Sequence, residues 1–361
     1  MSERMNELGF YALAGAATSP RELIAECRDA EAMGLGSAFL SERFNVKEAT
    51  TICGALGAVT SELGIATAVT NHNTRHPIVL AAHATTMHRM TDGRYMLGIG
   101  RGIKPQLSAF GLTPTTTAQM EEFIALMRRL WRGERVVDHR GSIGSFPALQ
   151  LDPSFAEDIP VGIVAFAPQT LALGGRTCDA VILHTFFSDE TTARVVGEVR
   201  TAAERAGRDP RQVRVWSVFA TIGDHLPADL RLKKTVGRLA TYLQVYGDLL
   251  VRTNRWDPAA LERFRRDPLV AGFRGWFDAK ATTAELEHVA TLIPPEWLEP
   301  SATGSPERCA AKALAQFDLG VDGVILHGAS PAELAPIVDA YRRIRPAGRF
   351  DHLAANPGRL R

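Results

Sequence analysis

Residues 64–100 read GIATAVTNHNTRHPIVLAAHATTMHRMTDGRYMLGIG. The segment begins with a short apolar run, continues with a stretch of helical spacing that Pro77 opens, and passes through the turn residues Asp92 and Gly93 into a second apolar run. Strand, helix and strand in this order are typical of two parallel strands joined by a crossover helix. The segment therefore predicts an α/β fold with a parallel sheet.

The same alternation continues on both sides of this segment. It predicts eight strands, at residues 8–13, 37–41, 64–71, 94–100, 160–165, 179–185, 213–222 and 321–327. No internal repeat, low-complexity tract or linker divides the 361 residues, and α/β barrels reach this length as one domain. We therefore predict a single (β/α)8 TIM-barrel domain over residues 1–361, with insertions at about 138–159 and 226–300.

Composition and charge argue against several classes of protein. The 41 Lys and Arg residues nearly balance the 40 Asp and Glu residues without a dense basic run, so we expect no nucleic-acid partner. No apolar stretch reaches the length that spans a bilayer, and the polar start is not a signal peptide. The four cysteines have no paired spacing, which argues against a disulfide framework. We expect a cytoplasmic homodimer with a small-molecule substrate.

Candidate catalytic residues follow the predicted strands, because the chemistry of a TIM barrel gathers at the carboxyl ends of its strands. Glu42 and Arg43 follow the second strand. The histidines at or after strand ends are His72, His184, His225 and His327. We expect no metal site at His72 and His76, because this pair lies at a strand exit and no carboxylate occupies a matching position.

Two loops are candidates for binding a phosphate. Residues 165–169 read AFAPQ, where Pro168 is expected to begin a helix whose free amides can bind an anion. Residues 97–102 read LGIGRG, a pattern that is weak evidence for a dinucleotide site, since Lys104 and Pro105 follow it. Either loop alone is also consistent with an ordinary strand-to-helix turn. Both together favour a phosphate-containing cofactor.

Taken together, TAVTNHNTRHP at 67–77, DGR at 92–94 and LGIGRG at 97–102 resemble the luciferase-like monooxygenase family. The resemblance is strongest to the branch that uses the deazaflavin coenzyme F420. Further similar segments are SPREL at 19–23, SERF at 41–44 and GVDG at 320–323, so the resemblance covers nearly the whole barrel. It implies a TIM barrel of the bacterial-luciferase type and F420 as cofactor, with FMN as the alternative.

In this family the third strand carries a bulge, often with a non-proline cis peptide, that supports the deazaflavin ring. The resemblance implies that the ring lies against Thr67, Ala68, Val69, Thr70 and Asn71. It implies that the cofactor tail lies along Gly100, Arg101, Gly102, Ala165, Phe166, Ala167 and Pro168. The sugar-phosphate dehydrogenase of the family has proton-handling residues where this chain has Glu42, Arg43 and Ile103, so we do not expect sugar-phosphate oxidation.

The resulting prediction is an F420-dependent oxidoreductase that moves a hydride between deazaflavin C5 and a small organic substrate. The alternatives are an FMN-dependent monooxygenase and a flavin- or deazaflavin-binding protein without turnover. We expect His72 to transfer the proton because it follows the ring-supporting bulge, with His184 second and Glu42 orienting either one or acting itself. The opposing interpretation is that His72 bonds a loop carbonyl and Glu42 pairs with Arg43.

Overall fold

The computed structural model describes residues 3–14, 19–44 and 46–360. The strands of this part of the chain are β1 (Met5–Tyr11), β2 (Leu35–Leu40), β3 (Gly64–Thr67), β4 (Tyr95–Ile99), β5 (Val136–Gly141), β6 (Gly144–Leu149), β7 (Val161–Val164), β8 (Ala180–Ile182), β9 (Arg214–Gly223), β10 (Ser301–Gly304) and β11 (Gly323–His327). Eight of them form a closed parallel barrel in the order β1-β2-β3-β4-β7-β8-β9-β11, with β11 paired to β1. The predicted (β/α)8 TIM barrel is confirmed.

Helices alternate with the barrel strands and surround them. They are α1 (Glu22–Ala32), α2 (Ala49–Val59), α3 (Pro77–Met90), α4 (Lys104–Ala109), α5 (Thr117–Trp131), α6 (Pro168–Thr177), α7 (Asp189–Arg205), α8 (Ala228–Leu232), α9 (Arg238–Asn254), α10 (Pro258–Arg266), α11 (Pro268–Gly272), α12 (Phe277–Lys280), α13 (Thr283–Leu292), α14 (Pro306–Ala315) and α15 (Pro331–Ile344). A capping box of Thr116 and Gln119 fixes the start of α5. No helix in the described ranges is long and apolar enough to cross a membrane.

All eight predicted barrel strands are present, and the third is shorter than predicted. It leaves the sheet after Thr67, and the following peptide bond between Ala68 and Val69 is cis. Thr70 returns to the sheet as a single bridge to Ile99 of β4. The extra residues therefore form an irregular exit from β3 rather than a continuation of the strand.

The two predicted insertions have different structures. Residues 138–159 include most of an antiparallel hairpin, β5 and β6, which begins at Val136. Residues 226–300 contain helices α8 to α13. The strand β10 that follows them was missed, because its four residues carry little apolar alternation. It pairs with the last residues of β9. Most of these residues lie beyond the part of β9 that pairs with β11.

The amino-terminal end of the barrel is closed by the last part of the chain. The buried guanidinium of Arg214 donates to the carbonyl oxygen of Asn356 at 2.9 Å. Trp216 Nε1 donates to the carbonyl of Pro357 at 2.8 Å, and Asn356 Nδ2 donates to that of Tyr95 at 2.9 Å. The barrel is therefore filled at this end, and its site must lie at the other end.

Candidate active site

A cavity of about 440 Å³ lies at the carboxyl ends of the barrel strands. Its wall includes Tyr11 at the end of β1, Ala68 after β3, His184 after β8 and His327 at the end of β11. Its volume lies in the usual range for small-molecule pockets. The candidate active site is therefore on the face of the barrel where TIM-barrel chemistry occurs.

The exit from β3 contributes backbone and small side chains to this cavity. Ala68 and Val69 line it, and the cis bond between them falls within the segment where the family resemblance implies one. A Cβ at Gly100 would lie 2.4 Å from Val69 Cγ2, and one at Gly98 would lie 1.9 Å from the Thr67 carbonyl oxygen. Glycine at both positions therefore lets the end of β4 pack directly against this exit.

The residues predicted to contact the cofactor only partly line the cavity. Ala68, Val69, Asn71 and Gly102 do so. The hydroxyl groups of Thr67 and Thr70 are instead used inside the protein: Thr67 donates to the Gly98 carbonyl at 2.7 Å, and Thr70 donates to Glu42 at 2.9 Å.

The two predicted phosphate-binding loops lie together. Arg101 donates to the Thr115 carbonyl at 2.8 Å, to the Thr117 hydroxyl and, at 3.4 Å, to the hydroxyl of Thr170 in the first turn of α6. Pro168 begins α6, as predicted. The N–H group of Thr170 donates to the Ala167 carbonyl at 2.9 Å and Pro168 has no N–H group, so this helix start has fewer free amides than a bare helix end.

Phe166 belongs to an aromatic cluster beside these loops. Its ring centroid lies 4.5 Å from that of His184 and 5.8 Å from that of Tyr246. His184, which packs against Phe166, lines the cavity. The Phe166 ring therefore occupies space next to the candidate site.

His184 is bonded through both ring nitrogens. Nδ1 lies 2.9 Å from the Thr185 carbonyl oxygen, and Nε2 lies 2.9 Å from the Tyr246 hydroxyl. Because a carbonyl only accepts, we assign the ring hydrogen to Nδ1, so Nε2 accepts from Tyr246. Burial lowers the pKa of His184 to about 4, which leaves the ring neutral at pH 7.

Glu42 lines the cavity, but its carboxylate is bonded within the protein. Oε2 accepts from Arg75 Nη2 at 2.8 Å and from Thr70, and Oε1 accepts from the N–H of Ala49 at 2.9 Å. The side chain is only 2% exposed. Glu42 thus forms an ion pair with Arg75.

His72 lies elsewhere. The chain forms a short turn over His72–Thr74 directly after the β3 exit, and the imidazole packs 5.4 Å from the ring of Phe123 in α5. It lines a second cavity of about 520 Å³ under the β5–β6 hairpin, together with Ile143 and Phe146. His72 therefore lines a different cavity from His327, which lines the candidate active site. His225 Nε2 bonds the Glu333 carbonyl at 2.9 Å, away from the cavity.

Lys47 lines the cavity and was not predicted as a site residue. Its Nζ donates to the carbonyls of Ala12 at 2.6 Å and Leu13 at 3.1 Å, at the end of β1. Burial, with a smaller contribution from the nearby positive charge of Arg43, lowers the pKa of Lys47 to about 7. The side chain can therefore exchange a proton near neutral pH.

The helix α9 contributes a further set of side chains that sequence reasoning missed. Arg238, Tyr242 and Tyr246 are spaced four residues apart and line the cavity on one helix face. Tyr246 interrupts the helix with φ −149° and ψ 34°. Arg238 Nη1 lies 2.6 Å from Asp278 Oδ2, which joins α9 to α12. Helical spacing was the available signal, but no motif marked this face as functional.

Comparison with known proteins agrees with this geometry. The family model for luciferase-like monooxygenases matches residues 7–323. The 5,10-methylenetetrahydromethanopterin reductase of Methanolobus tindarius is 25% identical over 301 residues, which cover 82% of this chain and 86% of that protein. The phthiodiolone/phenolphthiodiolone dimycocerosates ketoreductase of Mycobacterium bovis (strain BCG / Pasteur 1173P2) is 28% identical over 308 residues, covering 82% and 78%.

Among solved structures, the coenzyme F420 dependent tetrahydromethanopterin reductase of Methanopyrus kandleri has the same fold. Its TM-score is 0.78 at 17% identity, with 96% of this chain and 100% of that chain covered. The match of the family model to most of the barrel is the decisive observation. The chain therefore belongs to the luciferase-like monooxygenase family, a family of oxidoreductases.

Proposed function

We propose that the protein is an F420-dependent oxidoreductase that transfers a hydride between deazaflavin C5 and a small organic substrate. The observation that carries the proposal is the β3 exit, where Ala68 and Val69 line the cavity and Gly98 and Gly100 let the end of β4 pack directly against it. The two curated relatives described above are both reductases. These observations favour hydride transfer over oxygen activation.

The residues of the cavity fit a flat aromatic cofactor. Val164, Leu183 and Val218 contribute apolar surface to its lining. His327 Nδ1 is buried and has no hydrogen-bond partner among the described residues, so it is available to a polar edge of the ring. The ring would lie against Ala68 and Val69. When bound, the deazaflavin supplies or accepts the hydride at C5.

The cofactor tail carries a phosphate and glutamates, and the loops after β4 and β7 would bind it. Arg101 places a guanidinium beside the first turn of α6, and Lys104 is exposed at the start of α4. The positive end of α6 adds a favourable dipole for an anion. We propose that the tail lies along this edge of the cavity.

We propose that Lys47, rather than His72 or Glu42, delivers the proton to the substrate. Hydride addition to a carbonyl carbon requires a proton at the oxygen, and a group with a pKa near 7 is suited to deliver it. Lys47 combines this pKa with a place on the cavity wall. Glu42 is bonded to Arg75, and His72 faces the other cavity. His184 then acts by positioning the hydroxyl of Tyr246.

The test is to titrate the purified protein with F420 and, separately, with FMN, and to measure binding of each cofactor by its absorbance. We expect tighter binding of F420 than of FMN. Gly100→Ala should weaken F420 binding, because the added Cβ meets Val69. Gly197→Ala is the matched control, since a Cβ there meets nothing within 4 Å. Tighter binding of FMN would instead support a monooxygenase, and binding of neither would overturn the proposal.

A second measurement separates an enzyme from a protein that only binds the cofactor. Reduced F420 bound to the protein is mixed with a panel of ketones, and its oxidation is followed in a single turnover. We expect a ketone-dependent loss of the reduced cofactor. A protein that binds F420 but leaves it reduced with every member of the panel would contradict the assignment of ketone reduction.

A further inference from the structure

The wall of the active-site cavity has more positive than negative side chains. Among the described residues, the wall has two guanidinium groups, Arg43 and Arg238, and two carboxylates, Glu42 and Asp278. Lys47, with a pKa of about 7, adds part of a positive charge at neutral pH. Glu42 is also balanced by Arg75, which lies outside the wall. An excess of positive charge inside a cavity favours an anionic ligand.

Arg238, like Lys47, is a buried cation of this wall. It is 7% exposed, and Nη1 lies 2.6 Å from Asp278 Oδ2. The other oxygen of Asp278 accepts from the Thr241 hydroxyl at 2.9 Å, so this carboxylate is directed to α9 by both oxygens. Arg238 Nε is buried and has no acceptor among the described residues. One edge of the guanidinium therefore retains donor capacity for a ligand.

Arg43 brings a second guanidinium to the same wall. Removal from water lowers the pKa of Arg43, and the positive charge of Arg238 lowers it further, whereas Tyr242, Asp278 and Tyr246 raise it by smaller amounts. Two guanidinium groups that line one sheltered cavity are stabilised when an anion lies between them.

We propose that the substrate carries a carboxylate, which Arg43 and Arg238 bind in this cavity. The proposal rests on the proposed function, because it names the substrate class of the same site. Guanidinium groups match the planar carboxylate through paired N–H donors. Phe44, Ile103 and Trp276 line the cavity as exposed apolar side chains, which suits an apolar body. The substrate is then an apolar carboxylic acid that also bears a carbonyl or hydroxyl group.

The cofactor's own glutamates are the competing source of a carboxylate. The tail is placed along the ends of β4 and β7, whereas Arg43 follows β2 and Arg238 belongs to α9. In the order of the barrel, β3 separates β2 from β4, and β8 separates β7 from β9. The proposed substrate site and the proposed tail site therefore lie on different parts of the rim.

The experiment is calorimetric titration with hexanoate and hexanamide, which match in size and differ in charge. We expect hexanoate to bind at least about tenfold tighter than hexanamide, with or without F420 present. Arg43→Met should remove most of this preference. The double variant Arg238→Met/Asp278→Asn should do the same without leaving a buried unpaired carboxylate. Arg252→Met, at an exposed position of α9, is the control and should keep it.

Thermal melting of each variant verifies that it is folded before the titration is interpreted. Equal affinity for the two probes overturns the proposal, as does an unchanged preference in both folded variants. Loss of hexanoate binding when F420 is added also overturns it, because the cofactor would then occupy the arginine site. A hexanoate preference in a protein that does not bind F420 would retain the anion site and reject the cofactor, so the two failures are distinguishable.

Discussion

Arg75 Nη2 lies 2.8 Å from Glu42 Oε2, and this ion pair joins the exits of β2 and β3 beside the candidate active site. Arg75 also bonds Thr70 at 2.7 Å and pairs with Glu48 at the start of α2. The pair therefore fixes the segment that carries the cis peptide relative to the neighbouring strand. We therefore expect Glu42 to contribute to the stability of this segment.

Glu42→Gln should destabilise the protein by about 2 to 4 kcal/mol, because a buried partner of Arg75 is lost. Urea unfolding measures the change. Glu190→Gln is the control, since its pair with Arg255 is exposed and contributes less than about 1 kcal/mol. Equal, small losses in both variants would show that the Glu42 pair has no more structural importance than a surface pair.

Lys47→Met should change how stability depends on pH. The pKa of Lys47 falls from the ordinary 10.5 to about 7 in the folded protein. Between these two pH values the unfolded chain binds more protons than the folded protein. The contribution of Lys47 to the free energy of unfolding is therefore fully present above pH 10.5 and is lost as the pH falls to about 7. The slope is at most about 1.4 kcal/mol per pH unit. Unfolding from pH 6 to 10 measures it.

In Lys47→Met this slope should be absent. The exposed Lys280→Met should follow the parent protein across the same range. Parallel curves for the parent and Lys47→Met would mean that the lysine keeps its ordinary pKa, and would remove the basis for assigning the proton to it.

The two predicted catalytic histidines should behave differently. His184→Ala removes the acceptor of the Tyr246 hydroxyl on the cavity wall and should lower the single-turnover rate by about tenfold or more. Tyr246→Phe should reproduce that loss with F420 affinity preserved. His72→Ala should leave the rate within about twofold, because His72 lines the second cavity. A slow His72→Ala with an unaffected His184→Ala would restore the first assignment.

Arg214→Leu should destabilise the closed end of the barrel. The guanidinium donates to the carbonyl of Asn6, and also to the carbonyls of Asn356 and other residues in the last segment of the chain. It also lies 4.4 Å from the centroid of the Trp216 ring. Losing these donors leaves buried carbonyl groups without partners, which costs at least about 3 kcal/mol. Thermal and urea unfolding test it against Arg211→Leu, an exposed control. Similar stability of the two variants would contradict this role.

Local sequence patterns were enough to predict the barrel and the segments of the candidate site that are continuous in the chain. Alternating apolar runs and helical segments predicted all eight strands, because burial on both faces leaves a local pattern. The β3 exit and the glycines that pack behind it all lie within residues 67–102. This segment could therefore be recognised without knowledge of any long-range contact.

Tertiary structure alone decided which polar groups meet. Glu42 is paired with Arg75, Arg43 and Arg238 line the same cavity, and both relationships join residues that are far apart in the chain. His72 and His327 both follow or end a strand, yet a short turn directs His72 toward α5 while His327 remains on the cavity. The physical reason is that each strand contributes only its end to the site. The direction and partners of a side chain there depend on the turns and helices packed around it.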